Sequence, residues 1–315
     1  MLSRRHIRIK VLQAIYAYIQ SDQQDMLKGE REMTTQLEKV YDLYLYLLLL
    51  FGELRHQAGI KQEESRNKFL PTKEELNPNN RFADNPVMSI LADSKALKTA
   101  TSKKKLSWVN DMDFIRMFYQ DIRNSDWFKQ YHENRHGTFD NDREMFIKLF
   151  ADEIANSSRL LSFFEEKNVF WCDDIDLVCG AIVKNMKAIQ TPQDQLQLTP
   201  LWKNESEDIA FAKQLYTQTL MIRSEAQDMI QAKAENWEVD RIAFTDVLIM
   251  TMAIAEAMHF TNIPVKVTLN EYIDISKDYS TPRSHIFNNG LLDKIFAELK
   301  ATGKIKKAGR GLIGS

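Results

Sequence analysis

The amino-acid sequence predicts an all-α fold, on three observations. Glycine and proline are scarce, 10 and 7 of 315 residues. Leu, Lys, Glu, Gln, Ala and Met abound, and these side chains lose little freedom in a helix. Apolar residues recur at three- and four-residue spacing through most of the chain.

The elements follow in order. Arg4 to Gln20 sets Ile7, Val11, Ile15 and Tyr18 or Ile19 in one stripe, with Arg4, Arg5, Arg8 and Lys10 beside it. A polar break at Ser21-Asp22 leads to a long helix over Glu30 to Gln62. Its centre, YDLYLYLLLLFGEL, is apolar nearly all round and therefore buried. Residues 63–110 lose the pattern: LNPNNRFADNP is turn chemistry, and KTATSKKKLS reads as a basic loop. A short helix at Met112 to Ile122 precedes another irregular stretch reaching Gly137. Helices return over Asp142 to Lys167 and Asp173 to Ile189, and TPQDQLQLTP is a linker. Four more are expected over Glu205 to Glu235, Asp240 to His259, Leu269 to Lys277 and Pro282 to Lys300. The expected organisation is thus 1–62, a partly helical middle at 63–200, a helical region at 201–303 and a basic, mobile tail at 304–315. A weak repeat relates residues 142–190 to 208–256.

Composition limits the function classes. Hydrophobic residues make up 44% and charged residues 27%, and no apolar run approaches the roughly 20 residues that span a bilayer. MLSRRHIRIK lacks the apolar stretch of a secretory signal. Cys172 and Cys179, seven apart on one expected helix face, are too far apart for a disulfide and read as reduced thiols. These features predict a cytoplasmic protein. A net charge of −2 means that nucleic-acid binding requires a local basic surface.

The richest stretch is Trp237 to Phe296. Asp240-Arg241-Ile242 opens a helix with almost no polar face. Thr268-Leu-Asn-Glu271 has the form of a capping box, and Thr281-Pro282 that of a helix start. Gly290, inside the last helix, implies a close approach by another helix, because an interior glycine costs about 1 kcal/mol against alanine.

SRRHIRIKVLQAIY, WEVDRI, IPVKVTLNEYIDISKDYS and SHIFNNGLLDKI, in this order, resemble the bacterial transcription antitermination factor NusB family. The resemblance covers about the first 20 residues and the region from roughly 205 onward. It implies two packed helical subdomains, here with a large, partly helical insertion. It also implies binding to boxA-type single-stranded leader RNA of ribosomal RNA transcripts, together with the ribosomal protein NusE. That pair belongs to an antitermination complex on RNA polymerase.

The family's arginine-rich motif matches Arg4, Arg5 and Arg8; guanidinium groups bind phosphates bidentately and stack on bases. Read from spacing alone, they are a solvated helix face. His6 stands where relatives often carry a basic residue. Tyr16 matches a family tyrosine near both RNA and partner protein, and periodicity equally makes it a half-buried core aromatic. Phe287 matches the family's base-stacking phenylalanine, while its spacing sets it at the edge of the Leu291–Lys294–Ile295 ridge. Asp246 matches a family carboxylate on the partner-protein face, although a buried carboxylate also fits an intramolecular bond. Lys266 and Arg283 flank the RNA side and suit phosphate positioning. Asn288 departs from the family's usual valine.

One signal competes. His132-Glu133-Asn134-Arg135-His136 fits H-E-x-x-H, which on a helix grips zinc, with Glu153 at a conceivable distance as third ligand. Arg135 and Gly137 argue against it. No glycine-rich nucleotide motif or nucleophile elbow is present, so the sequence predicts an adaptor with no cofactor and no catalytic activity. Its alternative is a helical scaffold that binds protein alone.

Overall fold

Ser3 opens the first helix. Its hydroxyl accepts from the backbone N–H of His6, and the His6 ring accepts from the backbone N–H of Ser3, so two otherwise orphaned donors are satisfied. In the computed structural model, which describes residues 1–22, 24–133, 137–234 and 242–312, α1 runs Arg4–Gln20 and α2 runs Met26–Arg66. The described residues are helical, with no strand. None of their helices is long and apolar enough to cross a membrane.

The chain divides into two compact units, one of Met1 with Glu38–Leu201 and one of Leu2–Leu37 with Trp202–Ser315. The division passes through α2 itself.

The first unit contains α3 (Lys73–Leu76), α4 (Pro86–Asp93), α5 (Lys95–Lys104), α6 (Met112–Asn124), α7 (Asp126–Glu133), α8 (Phe139–Lys148), α9 (Ser158–Lys167) and α10 (Ile175–Ala188). Its core is aromatic. Trp108 stacks on Tyr46 of α2 at 4.0 Å between ring centres and donates its indole N–H to the Tyr46 carbonyl at 3.0 Å. Phe51 packs on Phe146 and Phe150. KTATSKKK, expected as a loop, is α5. Ser94 caps its start, and Leu97 and Thr101 are buried. α7 likewise replaces an expected irregular stretch. The helix expected over 142–167 is broken by a π-helical stretch, Leu149–Ile154, and restarts where Ser157 caps α9. Cys172 lies in the 3₁₀ segment Val169–Asp174, ahead of the helix that holds Cys179, and neither is in a disulfide.

The second unit contains α1, the start of α2, α11 (Glu205–Met221), α12 (Arg223–Lys233), α13 (Phe244–His259), α14 (Val265–Tyr279) and α15 (Ser284–Ala301). The single helix expected over 205–235 is split at Ile222. Asp240 and Arg241, expected to open α13, lie outside the described residues. α14 begins four residues earlier than the capping-box reading, with Pro264 at its N-cap. Thr268 is inside it, fully buried, and its hydroxyl donates to Glu256 at 2.8 Å instead of accepting from a backbone N–H. α15 starts at Ser284, and the Thr281 hydroxyl pairs with Ser284 Oγ at 2.7 Å.

The sequence repeat has a counterpart in helix order. α8 and α11 begin 66 residues apart, at Phe139 and Glu205, and α9 and α12 end at Lys167 and Lys233. Each leading helix buries an aspartate that pairs with an arginine: Asp142 with Arg81 and Asp208 with Arg4.

Two glycines behave oppositely. Among the described residues, a Cβ on Gly290 meets nothing within 4 Å, so the close approach expected there is not formed by them. A Cβ on Gly29 falls 2.1 Å from the hydroxyl of buried Tyr216. In chemical denaturation, Gly290→Ala is expected to add about 0.5–1 kcal/mol of stability. Gly29→Ala is expected to remove about 1–3 kcal/mol by overpacking; equal effects of the two contradict this reading.

Candidate nucleic-acid interface

α13 is the axis of the candidate site, and one of its two buried carboxylates organises the cationic end. Glu256 is fully buried in a largely apolar helix. Arg8, 3% exposed, reaches it from α1 with two donors, Nε at 2.7 Å and Nη2 at 2.8 Å. The Thr268 hydroxyl donates to the same carboxylate at 2.8 Å and the Tyr272 hydroxyl at 3.2 Å, both from α14. Glu256 and the reach of Glu271 hold the Arg8 guanidinium well above its ordinary pKa against the cost of burial. A bidentate pair with its remaining lone pairs filled is the form in which buried charges are tolerated.

This pair orients α1. Arg8 meets α13 near its C-terminal end, and Tyr16 meets its N-terminal end through an edge contact with Phe244 at 5.5 Å. The two helices therefore run antiparallel.

The cationic end is a groove of about 1400 Å³, lined in part by Arg4, Arg5, Phe211, Phe260, Lys266 and Asn270. Arg4 lies over the Phe211 ring at 4.4 Å and pairs with Asp208 at 3.3 Å. Arg5, 43% exposed, donates to both Glu271 oxygens at 3.0 Å and to Asp274 at 2.8 Å. Lys277, and then Arg5, hold the Asp274 carboxyl below the usual carboxylate range. Burial, with Arg5 adjacent, lowers the pKa of His6, so that ring is neutral at pH 7 and serves the cap. Lys266 is exposed on the first turn of α14.

The aromatic end lies about 16 Å along α1, from the eleven steps of 1.5 Å that separate Arg5 from Tyr16. Tyr16 is 42% exposed. Asp246, expected at a partner surface, is instead buried. It accepts from the Ser284 hydroxyl at 2.6 Å and from the Asn288 amide at 2.8 Å, which ties α13 to the start of α15. Phe287 stands half-buried between those two residues, and Arg283 is exposed just before α15.

The seven predicted RNA-contacting residues thus share one unit but not one spot. Arg4, Arg5, Arg8 and Lys266 meet at the groove; Tyr16, Phe287 and Arg283 belong to the other end. Arg8 lies beneath the surface. Sequence reading missed Glu256, although a lone glutamate in VLIMTMAIAEAM signals a buried charge in need of a donor. Asn288, which looked like a local departure, is one of the two donors to Asp246. Of the H-E-x-x-H stretch, His136 lies outside the described residues, while His132 stacks on Phe128 at 4.1 Å. No group of three or more described His, Cys, Asp or Glu side chains could hold a metal ion.

The NusB family model matches residues 182–297. The chain carries a NusB-family domain. The NusB-type match begins in α10 and extends through most of α15, so Asp246, Lys266, Arg283 and Phe287 fall within it and the arginines of α1 outside it. Curated relatives called transcription antitermination protein NusB include that of Salinibacter ruber, 45% identical over 104 residues, 33% of this chain and 65% of the relative. That of Chloroherpeton thalassium is 45% identical over 84 residues, 27% of this chain and 40% of the relative. That of Natranaerobius thermophilus is 28% identical over 111 residues, 34% and 80%. The chain therefore spans less than two thirds of the length of the first two. No solved structure matches it.

If the Arg8–Glu256 pair holds α1 against the NusB-family domain, breaking either side costs more than a surface charge would. Arg8→Met and Glu256→Gln are each expected to lose about 3–5 kcal/mol in denaturant unfolding. Arg8→Met combined with Glu256→Gln should lose less than the two single losses added. Additive losses would show that the two residues act independently.

Proposed function

We propose that this chain is an RNA-binding transcription antitermination factor that takes boxA-like single-stranded leader RNA, works with the ribosomal protein NusE, and joins an antitermination complex on RNA polymerase. The names of its relatives support the antitermination role. The observation that carries RNA binding is the Arg8–Glu256 pair, since it fastens an arginine-rich helix from outside the family match along the central helix of the family domain.

In this reading Arg4, Arg5 and Lys266 contact phosphates at the groove. Arg8 positions α1 from below. Phe287 stacks on a base, Tyr16 meets RNA or NusE at the same end, and Arg283 adds a phosphate contact. Asp246 serves the partner face indirectly, by fixing Ser284 and Asn288 on either side of Phe287. The separation of the two ends suits about five stacked nucleotides at 3.4 Å each.

Phosphates must displace carboxylates, because Arg4 and Arg5 both carry acidic partners. The part-exposed pairs of Arg5 are worth about 0–1 kcal/mol, and charge-assisted bonds to phosphate exceed that; the pair of Arg4 with buried Asp208 is the costlier one to break. The same pairing is the observation that favours a second reading, a scaffold that binds protein alone.

A mobility shift with boxA-like RNA, with and without NusE, separates the readings. Arg5→Glu and Phe287→Ala should each weaken binding with unchanged helical content by circular dichroism. Phe287→Ala should cost about 1–3 kcal/mol, the usual worth of one stacked base. RNA binding equal in wild type and both variants removes the RNA assignment, and NusE binding with no RNA shift supports the scaffold.

A further inference from the structure

Residues after Glu298 contain no acid, yet hold Lys300, Lys304, Lys306, Lys307 and Arg310 in a chain whose net charge is −2. The tail they form, expected to be mobile, is docked over its first part. Past α15, Gly303 takes the left-handed conformation (φ 69°), and the backbone N–H groups of Lys304 and Ile305 close on the Leu299 carbonyl at 2.9 and 3.1 Å. Lys304 Nζ then pairs with Glu225 of α12 at 2.7 Å. Lys307 Nζ donates to the carbonyl of Phe260 at 2.8 Å, and the backbone N–H of Ala308 donates to the carbonyl of Thr261 at 2.9 Å.

Those last two acceptors belong to the C-terminal end of α13, where unsatisfied carbonyls and the negative end of the helix dipole favour a cation. Phe260 also belongs to the groove wall, since it lines, with Asn262 and Ile263, the groove that Arg4, Arg5 and Lys266 enter from its other sides. Lys307 is half-buried there. Desolvation pushes its pKa down to about 8, with Glu256 opposing and Lys300 adding to the fall. It is committed to the fold. Lys306, its neighbour, is exposed.

We propose that Lys304–Ala308 is a second phosphate-contacting element of the RNA groove, in which Lys307 staples the tail to the end of α13 and Lys306 meets the backbone of the bound strand. The inference rests on the RNA reading of the groove. Lys306 acts as a point charge on the phosphate backbone, so it adds affinity without reading sequence.

The test measures affinity of the full chain for boxA-like and scrambled single-stranded RNA across a salt series. Lys306→Gln is expected to weaken both RNAs by the same factor, about fivefold at 0.1 M salt, and to make the slope of log affinity against log salt shallower by about 0.7, the loss of one phosphate contact on a single strand. Lys307→Met should produce the same loss with Lys306 intact, and speed hydrogen exchange at the Ala308 amide. Wild type that binds RNA, with Lys306→Gln unchanged in affinity and slope, overturns the role of the tail while leaving the groove reading in place. Wild type that binds no RNA at any salt overturns both.

Discussion

The arrangement of the second unit depends on one buried ion pair. α13 is apolar over nearly its whole surface, and the carboxylate of Glu256 inside it would be prohibitively costly alone. Arg8 answers it with two parallel N–H donors, and Thr268 and Tyr272 fill the remaining lone pairs. The consequence is geometric. A helix from the start of the chain is fixed in direction and height against helices from its end, and Arg4 and Arg5 are carried to the rim of the groove as a result. Arg8 therefore does more by being unavailable to ligand than it could by touching it.

A second buried carboxylate plays the matching part at the other end of α13. Asp246 holds Ser284 and Asn288, and Phe287 stands between them on the first turn of α15. The two ends present different chemistry, cations over an open groove on one side and half-exposed aromatics on the other. In the proposed reading, a single strand lying along α1 meets both. The cations at the groove are screened by their own acidic partners, which favours exchange with phosphate over tight capture of any anion and fits a molecule of slightly negative net charge.

Most helices were legible from periodicity, because burial of one face is what makes a helix worth forming. Their ends were less so. Thr268 looked like a cap from its spacing to Glu271, but the acceptor that claims its hydroxyl, Glu256, is reached only through tertiary packing. The lysine-rich run at 95–104 looked like a loop, and only the burial of Leu97 and Thr101 shows why it is helical. At the site, the arginines of α1 and Phe287 could be named from the family resemblance. The partner of Arg8 could not, since it lies 248 residues away. The sequence could show that Glu256 needed a cation and that α1 had cations to give, without joining the two.

The most direct measurement is a titration of the isotope-labelled chain with boxA-like single-stranded RNA, followed through the arginine Nε–H and phenylalanine ring resonances. Arg4, Arg5 and Phe287 are expected to shift together, saturating at one RNA concentration, while Arg8 stays where Glu256 holds it. Movement of Arg8 away from its partner, or saturation of Arg5 without any change at Phe287, would contradict the RNA assignment.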